Sequence, residues 1–199
     1  MNRAILARHG ESELSVAGRT NGDPAVPCGL TRLGHEQARR LGAALSEETI
    51  DLCVTSKFER AIATADVALE GREVPRLVLA ELNDIRVGSF EGGALEDYRA
   101  WAHAHGPEDP APGDGESRVE AIRRYVGAFR TILARDEHTI LVVAHGLPVR
   151  YIVEAAAGRL PAPVVEVVPY AQPFALDADE LERAVDRLEA WSQRPAWPS

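Results

Sequence analysis

The sequence predicts an α/β fold: a three-layer α/β/α sandwich with a mostly parallel central sheet and a small lid insertion. Three observations carry this. Short apolar runs alternate along the chain with segments of helical periodicity. The runs Ala4-Ile5-Leu6-Ala7 and Thr139-Ile140-Leu141-Val142-Val143-Ala144 are continuously apolar, as suits strands buried on both faces. Strands separated by helices imply crossover connections, which lay helices over both faces of a parallel sheet.

Each element has its own signal. After the first strand, residues 15–29 are rich in Gly, Pro and Asn and read as a loop. A helix is expected from Thr31, with Leu33, Gln37, Leu41 and Leu45 on one face. Asp51-Leu52-Cys53-Val54-Thr55 reads as the second strand. It runs into Ser56-Lys57-Phe58-Glu59, whose Ser-x-x-Glu spacing predicts a capping box, and a helix continues through Ala61, Ala65 and Ala68. Arg76-Leu77-Val78-Leu79 is the third expected strand. The polar stretch 92–118 is the lid, with a short helix around 95–103. Ser117 is placed to cap a helix bearing Ile122, Val126, Phe129 and Leu133, although it could instead touch substrate. The strong strand ending at Ala144 is followed by His145-Gly146 and by a helix starting near Pro148, since proline fits a first turn. Residues 164–168 are expected as an edge strand. An amphipathic helix over about 179–192 carries Leu181, Val185, Leu188 and Trp191 at helical spacing and is expected to pack on the core.

Composition narrows the function classes. The chain has 199 residues, enough for one domain spanning 1–199, with roughly 70% of the unfolded surface buried on folding. A net charge of −9, from 31 acidic and 22 basic residues, argues against an extended phosphate backbone as partner. It leaves room for a small phosphorylated substrate in a locally positive pocket, because charge beyond about 8 Å is largely screened. No apolar stretch approaches the ~20 residues of a bilayer span. Cys28 and Cys53 suggest neither a disulfide framework nor a zinc site. The expectation is a cytoplasmic monomer or homodimer, without nucleic-acid or membrane partners.

Candidate chemistry begins at Arg8-His9-Gly10-Glu11-Ser12, where the first apolar run ends. Arginine offers a planar fork of donors matched to phosphate, and histidine is a nucleophile or proton carrier near neutral pH. Ligands in such sheets bind beyond the carboxyl ends of the strands. That rule gathers His9, residues 56–60 and His145. Alone, the Arg-His pair could be a surface turn, Arg60 a solvated cation and His145 a core histidine; their joint placement at strand ends favours a site.

With these segments in order, the chain resembles the histidine phosphatase superfamily, also called phosphoglycerate mutase-like. The opening motif is Arg8 to Ser12, the second block Thr55-Ser56-Lys57-Phe58-Glu59-Arg60-Ala61-Ile62-Ala63-Thr64-Ala65, and the late block Val142-Val143-Ala144-His145-Gly146, with Gly115-Glu116-Ser117 among the weaker family-like stretches. The resemblance implies phosphoryl transfer with His9 as nucleophile and Arg8, Arg60 and His145 around the phosphoryl oxygens, aided by Ser15 and Gly146. It implies no metal and no cofactor. His103 and His105 lack an evident third ligand, and lid packing is expected of them. Relatives usually supply the leaving-group acid as Glu; counting back four from Gly88 gives Asp84, one methylene shorter, with Glu81 as the competing carboxylate. At Ser15 many relatives carry Asn. Thr20, Asn21, Tyr98, Trp101 and Ser117 are the candidate substrate contacts. The activity implied is metal-independent hydrolysis of small phosphomonoesters; the alternatives are mutase-type transfer and a non-catalytic phosphate-binding module.

Overall fold

The computed structural model describes residues 1–198. Its strands are β1 (Arg3–Arg8), β2 (Leu52–Thr55), β3 (Arg76–Val78), β4 (Thr139–Ala144) and β5 (Pro173–Asp177). They form one sheet in the order β3-β2-β4-β1-β5. β1 pairs parallel with β4 from Arg3↔Thr139 to Arg8↔Ala144, and β2 pairs parallel with both β4 and β3. Only β5 runs antiparallel, with Arg3 opposite Asp177.

The helices are α1 (Glu13–Val16), α2 (Arg32–Ala44), α3 (Glu59–Ala68), α4 (Leu95–Ala104), α5 (Arg118–Leu133), α6 (Gly146–Ala156) and α7 (Ala178–Gln193). Side chains alternate across the strands, so the sheet feeds two cores. Ala4, Leu6, Leu52, Val54, Ile140 and Val142 join the apolar faces of α5, α6 and α7. Ile5, Ala7, Cys53, Leu141 and Val143 join Leu41 of α2 and Ala61, Ala65 and Ala68 of α3. These two cores make the three layers. α7 seals the first, with Leu181, Val185 and Leu188 fully buried.

Caps and close approaches set the ends of elements. Ser117 accepts from the Glu120 N–H while the Glu120 carboxylate accepts from the Ser117 N–H, a complete capping box. Thr31 caps α2 through Gly34 N. Where β1 leaves the sheet, its backbone lies against the first turn of α2: a Cβ on Gly10 would stand 2.6 Å from the Gly34 carbonyl oxygen. Two glycines at this crossing let His9 sit directly beside the helix.

Four expectations need correction. Ser56 does not cap α3; the N-cap is Phe58, without a side-chain cap, and the Ser56 hydroxyl is instead buried against His145, where it also accepts from the Phe58 N–H at 3.3 Å. Residues 164–168 form no strand, and Val164 and Val167 are exposed. The free edge of β1 is taken by β5 instead. Leu33 is 42% exposed, since α2 turns Gly34, Ala38 and Leu41 inward. The loop expected from Ser15 begins with the single turn of α1.

Candidate active site

β2, β4 and β1 are consecutive in the sheet, so the segments that leave their carboxyl ends converge. His9 follows β1 and extends the ladder through its N–H to the Ala144 carbonyl at 2.9 Å. His145 follows β4 as the N-cap of α6. Arg60 lies in the first turn of α3, just after β2. The first turn of α3 is tied to the β1 exit by Thr64, whose hydroxyl donates to the Arg60 carbonyl at 2.6 Å and accepts from Gly10 N at 2.9 Å.

The tautomer of each histidine follows from its neighbours. His9 Nδ1–H donates to the Gly10 carbonyl at 2.7 Å. Its Nε2 lone pair accepts from Arg60 Nε–H at 3.1 Å. Burial, then Arg60 and Arg8, hold the His9 pKa well below the ordinary 6.5. His145 Nδ1 accepts from Arg60 Nη2 at 3.3 Å, so Nε2 carries the proton and donates to Ser56 Oγ at 2.8 Å. Burial and Arg60 keep His145 neutral too. The two rings stand edge to face, 5.2 Å apart.

Arg8 completes the cage from the other side. Its guanidinium lies 3.9 Å over the Tyr170 ring, and Nη1 donates to the Val168 carbonyl at 2.9 Å. Nε is buried without a partner. The nearest side chain to a Cβ built on Gly146 would be that Nε, at 3.9 Å. Arg60 is spread over Phe58 at 4.1 Å and donates to both the side-chain and backbone oxygens of Asn21.

A cavity of about 450 Å³ opens onto these groups, lined by Arg8, His9, Ser15, Arg60, Asp84 and Gly146 at one end. Thr20, Asn21 and Tyr98 also line it. Asp84 Oδ2 is 3.4 Å from Arg60 Nη2 and 3.6 Å from His145 Nδ1. His145 is fully buried behind Arg60 and does not reach the cavity wall. Besides His145, three other candidates are not brought to the cavity. Glu81 is exposed at the surface. Trp101 stacks on His105 and packs with Phe90 and Tyr98. Ser117 is occupied as a helix cap. His103 lines the cavity while His105 Nδ1 donates to the Trp101 carbonyl at 2.7 Å.

Sequence reasoning missed several contributors. Tyr170 and Val168 hold Arg8 from a segment that carries no motif. Arg124 holds the loop bearing Asp84: it donates to the carbonyls of Glu81 and Asn83 at 2.8 Å and of Asp84 at 3.2 Å. Glu116, 3% exposed, accepts from Arg124 Nε and Nη2 at 2.9 and 2.7 Å. Burial alone would raise the Glu116 pKa, yet Arg124 together with Arg86 outweighs it and the carboxyl is held below its ordinary range. The Gly115-Glu116-Ser117 stretch was visible as a family-like motif, but its partner Arg124 was not.

The chain is similar to known proteins. Residues 4–192 match the description "Histidine phosphatase superfamily (branch 1)". The chain is 34% identical over 152 residues to the adenosylcobalamin/alpha-ribazole phosphatase of Salmonella typhimurium, covering 72% of this chain and 73% of that one. It is 29% identical over 161 residues to phosphoserine phosphatase 1 of Hydrogenobacter thermophilus, covering 75% and 74%. The crystal structure of the alpha-ribazole phosphatase from Shigella flexneri superimposes with a TM-score of 0.75 at 29% identity, over 88% of this chain and 90% of that one. With its strand-end histidines, its arginine pair and a match over nearly its whole length, this chain belongs to the histidine phosphatase superfamily, branch 1.

Proposed function

We propose that the chain hydrolyses small phosphomonoesters, without a metal, through a phosphohistidine on His9. The observation that carries this reading is the state of His9: neutral, its Nδ1–H fixed on Gly10, its Nε2 lone pair beside Arg60. In the first step Nε2 forms a bond to phosphorus as the ester P–O bond breaks, and Asp84 in its acid form gives its proton to the departing oxygen. In the second, water attacks phosphorus, Asp84 takes the water proton, and the P–N bond breaks to release orthophosphate. Transfer of this kind is mostly positioning plus stabilisation of charge on the equatorial oxygens. Arg8, Arg60, Ser15 and the Gly146 N–H at the start of α6 serve that end, with His145 behind Arg60. Thr20, Asn21 and Tyr98 face the leaving group. The relatives named for alpha-ribazole and phosphoserine share the phosphoryl group and differ in what leaves, so the reading is stated for the phosphomonoester class. The buried free thiols Cys28 and Cys53 support a reducing, cytoplasmic setting.

The test is hydrolysis of an aryl phosphate with and without EDTA, beside His9→Ala. Wild type is expected to turn over in both conditions and to yield an acid-labile, base-stable phosphoprotein on quenching. Equal rates for wild type and His9→Ala would sink the reading, and loss of activity in EDTA would sink metal independence. Asp84→Asn is expected to lose roughly 10²–10⁴-fold on alkyl phosphates and much less on aryl phosphates, whose oxygen leaves without a proton. Glu81→Gln showing that pattern instead would move the acid role to Glu81.

A further inference from the structure

The cavity holds more positive charge than one phosphoryl group uses. Five arginines line it, Arg8, Arg19, Arg60, Arg99 and Arg118, against two carboxylates, Asp84 and Glu166. Both carboxylates already have partners: Asp84 faces Arg60, and Glu166 lies 3.5 Å from Arg150. Arg8 and Arg60 belong to the phosphoryl end. Arg19 uses Nε on the Gly92 carbonyl at 2.6 Å, and among the described residues the carboxylate that Arg99 approaches is Glu96, at 3.9 Å along α4.

Arg118 is the most telling of the remainder. Its Nη1 donates to the Tyr151 hydroxyl at 2.7 Å, and no carboxylate pairs with it among the described residues. Partly buried arginines elsewhere are satisfied: Arg124 by Glu116 and three carbonyls, Arg72 by two carbonyls. Among the described residues, two guanidinium nitrogens are buried without a hydrogen-bond partner, Arg8 Nε and Arg118 Nε. Both residues line this cavity, and so does Tyr98, whose buried hydroxyl lies beside the Arg118 guanidinium with no partner at full hydrogen-bond geometry. A buried donor without an acceptor is costly, and one anion at the phosphoryl end leaves the second arginine unanswered.

We propose that Arg118 and Tyr98, with Arg99 and Arg19 nearby on the lid side, form a subsite for a second anionic group on the substrate. The preferred substrates are then phosphomonoesters whose leaving group carries a carboxylate or a further phosphate. A guanidinium fork matches either anion. Burial pushes the Tyr98 hydroxyl up to about 12, so it stays protonated and donates. Apolar cavity walls strengthen the attraction and gather anionic substrates from solution. The inference rests on the phosphatase reading above.

Matched pairs test it. 3-Phosphoglycerate is compared with glycerol 3-phosphate, which differ in the carboxylate. 1,3-Propanediol bisphosphate is compared with the monophosphate, corrected for its two equivalent esters. The readout is the kcat/KM ratio within each pair, which cancels losses common to both members. Wild type is expected to favour the anionic member by roughly tenfold or more in at least one pair. The pair that responds separates carboxylate from phosphate. Arg118→Gln is expected to bring that ratio to within about threefold of unity, and Arg99→Gln and Tyr98→Phe to lower it, which covers an Arg118 variant that does not fold. Flat ratios in wild type overturn the subsite, as does a preference that survives all three substitutions. If the aryl phosphate is hydrolysed while the ratios are flat, the subsite alone fails; if wild type turns over no phosphomonoester, the phosphatase reading fails with it.

Discussion

At the scale of the residue, a histidine that attacks phosphorus must keep its Nε2 lone pair free of a proton, and this site does so by crowding. Burial first, then two guanidinium charges, depress the pKa of His9, and the same influences act on His145. The consequence for rate is an acid limb of kcat/KM well below the ordinary histidine value, once the ionisation of the aryl phosphate itself has been allowed for. A limb at 6.5 assigned to the free enzyme would contradict it. The consequence for stability has a definite sign. The unfolded chain takes up protons on these histidines as pH falls through 6.5, while the folded chain does not until their depressed values are reached. Folded-state stability from these two groups is therefore complete above 6.5 and falls with pH below it, by up to about 1.4 kcal/mol per pH unit per histidine. Urea titrations between pH 7 and 5 read that slope, and His145→Gln is expected to reduce it.

At the scale of the element, the Asp84 loop is ordered by a side chain from α5 rather than by secondary structure of its own. Three carbonyls accept from Arg124, and Glu116 holds Arg124 in place. Arg124→Met leaves the buried Glu116 carboxylate with the Arg86 backbone N–H, at 3.1 Å, and the longer contact to the Arg86 guanidinium, at 3.5 Å. The expected loss is about 3 kcal/mol in urea unfolding, and the double variant Arg124→Met, Glu116→Gln is expected to recover part of it. The same variant should lose more rate on alkyl than on aryl phosphates, because the acid is no longer held at the leaving oxygen. This contact also marks where the sequence was silent. Helix periodicity shows which face of α5 is apolar, but not that a charged residue on it reaches back to residues 81–84. Ser56 shows the opposite failure: a correct local pattern for a cap was overridden when folding buried the hydroxyl against His145. β5 was hidden because Pro173 opens it and its partner, β1, is some 170 residues away in sequence. Its pairing is a property of the sheet edge, with little local signal.

At the scale of the whole molecule, the parallel strands and their order of use were legible, because buried strands announce themselves as apolar runs. Arg8, His9, Arg60 and His145 were legible for the same reason, each lying within a few residues of a strand end. Ser117 caps α5 as one of its two readings expected, whereas the place of Trp101 away from the cavity lining was not legible, because the path of residues 92–118 depends on contacts that no short window contains. α7 lies far from the chemistry, yet it covers one face of the sheet through α5 and α6. Leu188 is fully buried there, and Leu188→Ala is expected to cost about 2–5 kcal/mol in urea unfolding while leaving KM for an aryl phosphate unchanged at temperatures where the protein is folded. The strand order has a further consequence. Arg8, His9, Arg60 and His145 issue from three adjacent strands locked in register, whereas Tyr98, Arg99 and Arg118 ride on a single excursion of the chain between β3 and β4. The strand-end groups of the phosphoryl site are thus written apart from Tyr98, Arg99 and Arg118, with Asp84 the reacting group that shares their excursion, and descent can rewrite those three while inheriting Arg8, His9, Arg60 and His145 intact.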